Sequence, residues 1–201
     1  MRIDKVKVYD LEESMIASGY PMRTELTDDT IDDKAIRRCM NLTKASNGNG
    51  AHGQWLTGVR VAFDLTCTNK MWVEAERYRF LEFVSSQSTM HRITKFNLDK
   101  AYNEYVDPRV IEIMKEKVAA YNEMPECEEK KKLYLEILYT NPAGFELTAR
   151  MTTNYRCLLN IYIQRHDHRL PEWRELCAQL LKLPYFADLV NAYYAGKIVV
   201  D

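Results

Sequence analysis

The sequence predicts an α+β fold, a helix-rich single domain with a small sheet. Two short segments, 5–9 and 59–66, alternate apolar and polar residues, which is typical of half-buried strands. Segments with helical spacing of apolar residues dominate the C-terminal half. Because 201 residues are enough to bury one sizeable core, we expect a single domain over 1–201.

In the N-terminal half, the sequence predicts two helices and a turn besides these strands. Residues 27–40 begin with acids and end with two arginines, the charge order that suits the dipole of a helix. The glycine-containing residues 47–50 predict a turn. Apolar spacing predicts a helix over 69–83, and the serine-rich residues 85–89 predict a polar loop, after which we expect irregular chain to about Pro108.

In the C-terminal half, the sequence predicts five helices. Residues 109–121 and 128–139 are charged and amphipathic, and we expect them to form a helical hairpin. With the residues before them they make an insertion-like region over 93–140. Three further helices are expected at 147–167, 171–183 and 184–195.

Composition and charge are those of an ordinary globular protein. Apolar residues make up 46% of the chain, charged residues 28%, and the net charge of −1 gives no global attraction to nucleic acid or anionic membrane. No stretch is apolar enough to cross a bilayer or to form the core of a signal peptide. The five cysteines are odd in number and scattered, which favours reduced thiols. We therefore expect a cytoplasmic protein with no membrane or nucleic-acid partner.

One short group of residues has side chains of the metal-binding type. His166 and His168 are separated by a single residue, and Glu172 follows four residues later. Pro171 is expected to break the helix between His168 and Glu172, so we predict no metal site.

A polar pair interrupts the apolar pattern near residue 160. Asn154 and Arg165 would share one helical face with apolar residues between them. Burying an amide and a guanidinium is costly unless polar groups meet them, and a ligand with carbonyls, ring nitrogens or phosphates would do so. The alternative is that Asn154 caps a helix and Arg165 lies in its last turns. Spacing alone leaves both interpretations open.

A second polar group precedes the serine-rich segment. Arg77 and Arg79 beside a hydroxyl-rich turn can hold phosphates through forked, charge-assisted hydrogen bonds. The alternative is a solvated helix face on which Glu and Arg side chains pair.

The segment near residue 160 resembles the flavin-dependent thymidylate synthases. That family carries an Asn-x-Arg-x-Leu segment, then a second Asn and then an Arg. The same elements stand in the same order in this chain: Asn154, Arg156, Leu158, Asn160 and Arg165. Residues 184–198 resemble the closing helix and final turn of the family.

The central signature of the family is present in altered form. In the family it is Arg-His-Arg, then seven residues, then Ser; this chain has Arg77, Tyr78 and Arg79, and Ser88 comes one residue late. With that insertion, Ser86 takes the position of the family's Glu. The resemblance spans about 52–92 and 142–199 and implies the flavin-dependent thymidylate synthase fold.

The resemblance also implies roles for particular residues. Six would bind FAD: Arg77, Tyr78, Arg79, Asn154, Arg156 and Asn160. Two would be catalytic, since Arg165 would polarise a pyrimidine carbonyl and His52, at the position of an important family His, would line the folate or nicotinamide entrance. Four would bind the substrate: Glu74, Ser86, Ser88 and Arg165.

The departures from the family fall on the nucleotide site. A family Gln that contacts the pyrimidine is Glu74 in this chain, and the phosphate-binding Arg aligns with Leu138, for which Arg150 is a candidate replacement. Because a carboxylate accepts well from an exocyclic amine, Glu74 makes dCMP a rival to dUMP. The alternative is that Glu74 pairs with Arg77 or Tyr78 on the helix surface and touches no ligand.

By resemblance, we expect a methyltransferase that moves a one-carbon unit from methylenetetrahydrofolate to C5 of a pyrimidine deoxynucleotide, most simply dUMP to dTMP. FAD would be the cofactor, NADPH and methylenetetrahydrofolate the co-substrates, and a homotetramer with shared active sites the assembly. Three alternatives stay open: the same chemistry on dCMP, a non-catalytic flavin- or nucleotide-binding module, and an interaction protein.

Overall fold

A computed structural model of the chain describes residues 1–26, 30–46 and 50–197. Most of the predicted turn at 47–50, and part of the predicted helix at 27–40, lie outside the described residues. Within them, that helix begins at Asp33 and is longer than expected at its C-terminal end. The mixed α+β fold with a small sheet is as predicted.

Four antiparallel strands form one sheet in the order β1-β2-β4-β3. Their bounds are β1 Arg2–Tyr9, β2 Arg60–Thr68, β3 Glu82–Ser86 and β4 Glu146–Asn154. The central strands β2 and β4 pair in continuous register along their length. The strands predicted at 5–9 and 59–66 are therefore confirmed, as parts of β1 and β2.

The described residues also form nine α-helices, which surround and extend the sheet. They are α1 Leu11–Ala17, α2 Asp33–Ser46, α3 Asn69–Ala75, α4 Thr89–Arg92, α5 Pro108–Glu123, α6 Glu128–Thr140, α7 Tyr155–Arg165, α8 Pro171–Leu180 and α9 Phe186–Lys197. Three short 3-10 segments add to these at Tyr20–Met22, Ala51–Thr57 and Ile93–Lys95. None of the described helices is long and apolar enough to cross a membrane.

The helix predicted over 69–83 is half as long as expected, and the loop predicted at 85–89 is partly a strand. Thr68 caps the N-terminal end of α3, since its hydroxyl accepts a hydrogen bond from the Met71 N–H at 3.2 Å. The helix ends at Ala75, and a tight turn leads into β3. Every residue of β3 is exposed, so the strand shows no alternation that a sequence pattern could reveal.

The helix predicted over 147–167 is wrong in its first half, which is β4. Ala149, Met151 and Thr153 are buried on one face of the sheet while the residues between them are not. Asn154 ends this strand and caps α7, accepting from the Cys157 N–H at 2.9 Å. The capping alternative for Asn154 is thus confirmed.

Two hydrophobic clusters stabilise the chain. The main cluster packs the buried face of the sheet against the helices around it, with Phe63, Tyr155, Trp173 and Phe186 among its large fully buried members. A second cluster lies between α5, α6 and the segment before them. The predicted hairpin of two helices is present. That this hairpin belongs to an insertion over 93–140 stays a prediction. The same holds for the single domain over 1–201.

Candidate functional site

A pocket of about 960 Å³ lies where four parts of the chain meet. They are the 3-10 segment Ala51–Thr57, the start of β2, the turn after α3 and the start of α7. All six residues that the resemblance assigns to FAD line it: Arg77, Tyr78, Arg79, Asn154, Arg156 and Asn160. We call it the arginine pocket, because Arg60 adds a fourth guanidinium to those of Arg77, Arg79 and Arg156.

The turn after α3 presents two arginines and buries the residue between them. The Tyr78 N–H donates to the Ala75 carbonyl at 3.0 Å, which tightens the turn. The Tyr78 side chain is only 8% exposed and packs edge-on against Trp173, with ring centroids 5.8 Å apart. Because Tyr78 is anchored in the core, Arg77 and Arg79 on either side of it stay exposed at the pocket.

The start of α7 supplies the opposite wall of the arginine pocket. Asn154 is fixed there as the helix cap. Arg156 and Asn160 lie one helical turn apart and share a face. Arg156 Nη1 donates to Oε1 of Gln54 at 2.7 Å, which ties this wall to the 3-10 segment. The N-terminal end of α7 adds partial positive charge to that of the arginines.

The electrostatics of the arginine pocket are one-sided. Four arginines line it, and no carboxylate does. The guanidinium groups of Arg60, Arg77 and Arg79 form no hydrogen bond or ion pair with any residue that the structure describes. Guanidinium groups gathered in this way repel one another, and each offers a planar fork of donors that matches phosphate oxygens. The pocket therefore suits an anion with several phosphate oxygens, such as the diphosphate of a dinucleotide.

A second pocket, of about 420 Å³, adjoins the first and shares Arg77, Tyr78 and Asn160 with it. Gln164 and Arg165 complete its lining. We call it the amide pocket, because Asn160 and Gln164 contribute carboxamides. Gln164 Nε2 donates to Oδ1 of Asn160 at 3.1 Å, so the two amides are linked along α7.

Arg165, predicted to be catalytic, is held by side chains from three parts of the chain. Its Nε donates to the Tyr78 hydroxyl at 2.9 Å, and its Nη1 donates to Oε2 of Glu74 at 3.3 Å. The same Nη1 lies 2.7 Å from Nε2 of His168. The guanidinium carbon lies over the Trp173 ring, 5.0 Å from its centroid. A guanidinium fixed in this way is suited to polarise a carbonyl without reorganising.

Glu74 is the counterion of Arg165. Trp173 Nε1 donates to the same Oε2 at 3.0 Å. Burial opposes ionisation, but the hydrogen bond from Trp173 and the surrounding cations together lower the pKa of Glu74 below its ordinary value. The expectation that an unliganded Glu74 pairs with Arg77 or Tyr78 is wrong. Its Oε2 faces Arg165 of α7 and Trp173 of α8, which pack over α3, and its other oxygen lies 3.5 Å from Lys70 Nζ of α3 itself.

The two serines predicted to bind the substrate lie elsewhere in the chain. Ser86 ends β3 and lines a third pocket, of about 750 Å³, together with Arg150. Arg150, the candidate phosphate ligand, forms an ion pair with Asp64 at 3.2 Å. Ser88 directly precedes α4. Neither serine lines the arginine pocket or the amide pocket of the same chain.

His52, also predicted to be catalytic, is exposed in the 3-10 segment Ala51–Thr57. It lines a further pocket of about 410 Å³. Gln54, Thr57 and Gly58 line both this pocket and the arginine pocket, so the two adjoin. The catalytic role of His52, like its place at a folate or nicotinamide entrance, stays a prediction.

No metal centre is apparent among the residues that the structure describes, since no three His, Cys, Asp or Glu side chains are placed to share an ion. The two histidines that the sequence singled out have other partners, and Nδ1 of His166 lies 3.1 Å from the Tyr162 carbonyl oxygen. His168 contacts Arg165 and accepts a hydrogen bond from the Leu170 N–H at 3.2 Å.

Among the lining residues that reasoning from the sequence missed, three carry an amide or guanidinium group: Gln54, Arg60 and Gln164. For Gln164 a signal was present, because it continues the four-residue spacing of Arg156 and Asn160 along one face of α7. Nothing in the alternation of β2 indicates that Arg60 meets the arginines of the turn after α3.

The fold is that of the flavin-dependent thymidylate synthases, as comparison with solved structures establishes. No protein-family model matches the chain, and no curated protein matches its sequence. In fold, it is similar to the flavin-dependent thymidylate synthase ThyX of Helicobacter pylori, solved with FAD and dUMP. One such structure is 16% identical at a TM-score of 0.67, over 94% of this chain and 97% of that one.

Two further solved structures are similar to this chain in fold. Another Helicobacter pylori ThyX structure with FAD and dUMP is 15% identical at a TM-score of 0.70, over 96% of this chain and 99% of that one. The UMP/dUMP methylase PolB of Streptomyces cacaoi, bound to 5-Br dUMP, is 14% identical at a TM-score of 0.65, over 96% of this chain and 95% of that one. At these identities the likeness establishes the fold and leaves function to the site.

Proposed function

We propose that this chain is a flavin-dependent methyltransferase that moves a one-carbon unit from methylenetetrahydrofolate to C5 of a pyrimidine deoxynucleotide, most simply dUMP. One observation carries the proposal. The six residues assigned to FAD, separated by up to 83 positions in the sequence, line one pocket that has four arginines and no carboxylate. The FAD and dUMP bound to the Helicobacter pylori protein of the same fold support it.

The lining of the arginine pocket fits a flavin dinucleotide. Arg60, Arg77 and Arg79 have no partner in the described chain, so the diphosphate would satisfy donors that are otherwise exposed. FAD held by these arginines and reduced by NADPH would supply the electrons for the transfer. Arg165 would stabilise negative charge that develops on the pyrimidine ring, and Glu74 would keep the guanidinium oriented for that purpose.

The proposal includes a homotetramer in the cytoplasm with active sites shared between subunits. In one chain, Ser86 and Ser88 lie away from the two pockets that hold the other site residues. A second copy could bring them to the amide pocket. Exposed apolar side chains around β3, among them Phe80, Phe83 and Val84, support an interface there.

The dCMP alternative loses its original support. It rested on a Glu74 carboxylate facing the base, whereas that carboxylate is bound to Arg165 and Trp173. No contact in the described chain favours a non-catalytic module over an enzyme.

Turnover tests the proposal. Purified protein loaded with FAD would be incubated with NADPH, methylenetetrahydrofolate and either dUMP or dCMP, and the products separated by chromatography. We expect dTMP from dUMP only when all components are present. Absence of methylated product from either nucleotide, in a protein that retains FAD, would leave the flavin-binding module as the better description.

A further inference from the structure

We propose that Gln164 reads the imide edge of a pyrimidine ring in the amide pocket, the role that the sequence assigned to Glu74. The imide, a carbonyl–NH–carbonyl group, belongs either to uracil of the nucleotide or to the flavin ring. This inference rests on the proposed function. It makes Gln164 the residue that selects a ring with an imide edge.

A chain of hydrogen bonds orients the exposed Gln164 carboxamide. Arg165 Nε can only donate, so the Tyr78 oxygen must accept from it at 2.9 Å. The Tyr78 proton is then free to go to Oε1 of Gln164, 3.0 Å away. On the other side, Gln164 Nε2 donates to Oδ1 of Asn160. Turning the Gln164 amide alone would set its Oε1 against Oδ1 of Asn160 and lose that bond, which favours the orientation described.

The Gln164 amide keeps spare hydrogen-bonding capacity. Oε1 of Gln164 has a second lone pair and Nε2 has a second N–H, and neither has a partner in the part of the chain that the structure describes. Arg165 contributes further donors, because its hydrogen bonds within the described chain use only Nε and Nη1. An imide needs two donors for its carbonyls and one acceptor for its N–H, and these two side chains supply them.

Glu74 cannot serve in this way. Its Oε2 already accepts from Arg165 and from Trp173, and its other oxygen lies 3.5 Å from Lys70 Nζ. A carboxylate also lacks the donor that an imide carbonyl requires. Glu74 does not line the amide pocket, whereas Gln164 does.

The test compares two substitutions of Gln164 with a matched control. Gln164→Leu removes both polar groups at similar volume, and Gln164→Glu keeps the shape but removes the donor. Gln179→Leu changes a glutamine of α8 that bonds Lys182 at 2.9 Å and lines neither pocket. The affinity of each protein for FAD is measured by fluorescence titration, and then that of the FAD-loaded proteins for dUMP and dCMP by calorimetry.

A tenfold or larger loss of dUMP affinity in both Gln164 variants, with FAD binding unchanged, assigns the imide to uracil. In that case Gln164→Glu should also turn the preference from dUMP towards dCMP, because the new carboxylate accepts from the cytosine amine. A similar loss of FAD affinity assigns the imide to the flavin. If both variants bind FAD, dUMP and dCMP as Gln179→Leu does, the inference is overturned while the proposed function stands. If the unaltered protein binds neither FAD nor dUMP, both fail together.

Discussion

Arg79 offers a sharp single-residue test of the arginine pocket. Its side chain is exposed and has no partner in the described chain, so Arg79→Ala should leave the fold intact. We expect the affinity for FAD to fall by about 1–3 kcal/mol, because a charge-assisted phosphate contact is lost. Fluorescence titration of FAD measures the change. The matched control is Arg169→Ala, which removes an exposed guanidinium outside both pockets. Equal losses of FAD affinity in the two variants would contradict the assignment of the arginine pocket as the FAD site.

The lowered pKa of Glu74 gives a prediction of pH dependence. The folded state favours the carboxylate, so its contribution to stability is full above the ordinary glutamate pKa of about 4.3 and is lost as the pH falls through the lowered value. Glu74→Gln should therefore lower the free energy of unfolding at pH 7 by about 1 kcal/mol, from the weakened contacts to Arg165 and Trp173.

Urea denaturation at pH 7 and at stepped lower pH checks this prediction. The difference between the unaltered protein and Glu74→Gln should shrink towards pH 4 and below. Glu116→Gln, on the exposed face of α5, controls for loss of a carboxylate as such. A difference that does not change with pH would mean that ionisation of Glu74 adds nothing to stability.

At the scale of elements, the sequence predicted the parts of the fold whose patterns are local. The alternation of β2 and the amphipathic spacing of α5 and α6 both reflect burial on one side of one element. The boundary between β4 and α7 was missed, because the apolar residues of the strand run directly into those of the helix. The alternation of Ala149, Met151 and Thr153 was the signal that separates them.

The lining of the candidate site was predicted to the extent that its residues are close together in sequence. The Arg77–Tyr78–Arg79 turn and the start of α7 were both identified, and they line one pocket. The partner of Glu74 was not predictable from spacing, because Arg165 lies 91 positions away and meets it only through the packing of α7 and α8 over α3. Contacts of this kind depend on the tertiary fold.

One buried carboxylate, that of Glu172, links α8 to the end of β2. We therefore expect its removal to lower the stability of the protein strongly. Glu172 is 6% exposed and accepts hydrogen bonds from the Thr68 N–H at 2.8 Å and from the Thr68 hydroxyl at 2.7 Å. Glu172→Ala should lower the free energy of unfolding by about 2–4 kcal/mol, since it leaves buried donors unpaired and a cavity beside them. Thermal or urea denaturation measures the loss. Glu116→Ala, in an exposed position, should have a far smaller effect; equal losses would contradict the role of Glu172.

At the scale of the whole molecule, the apolar surface around β3 predicts assembly. Val84 is 61% exposed on a strand at the edge of the sheet, next to Phe80 and Phe83. We expect Val84→Asp to lower the molecular mass measured by light scattering of the FAD-loaded protein. Ile113→Asp, which changes an exposed apolar residue of α5, should leave the mass unchanged. A stable monomer formed by the unaltered protein with FAD bound would contradict the shared active site.

Retention of FAD tests the central claim most directly. The unaltered protein is mixed with FAD and passed through a gel-filtration column, and the protein peak is examined for flavin absorbance. The arginine pocket predicts that FAD elutes with the protein in stoichiometric amount at low salt, and that rising salt weakens its retention because the phosphate contacts are ionic. Elution of all FAD apart from a correctly folded protein would contradict the account.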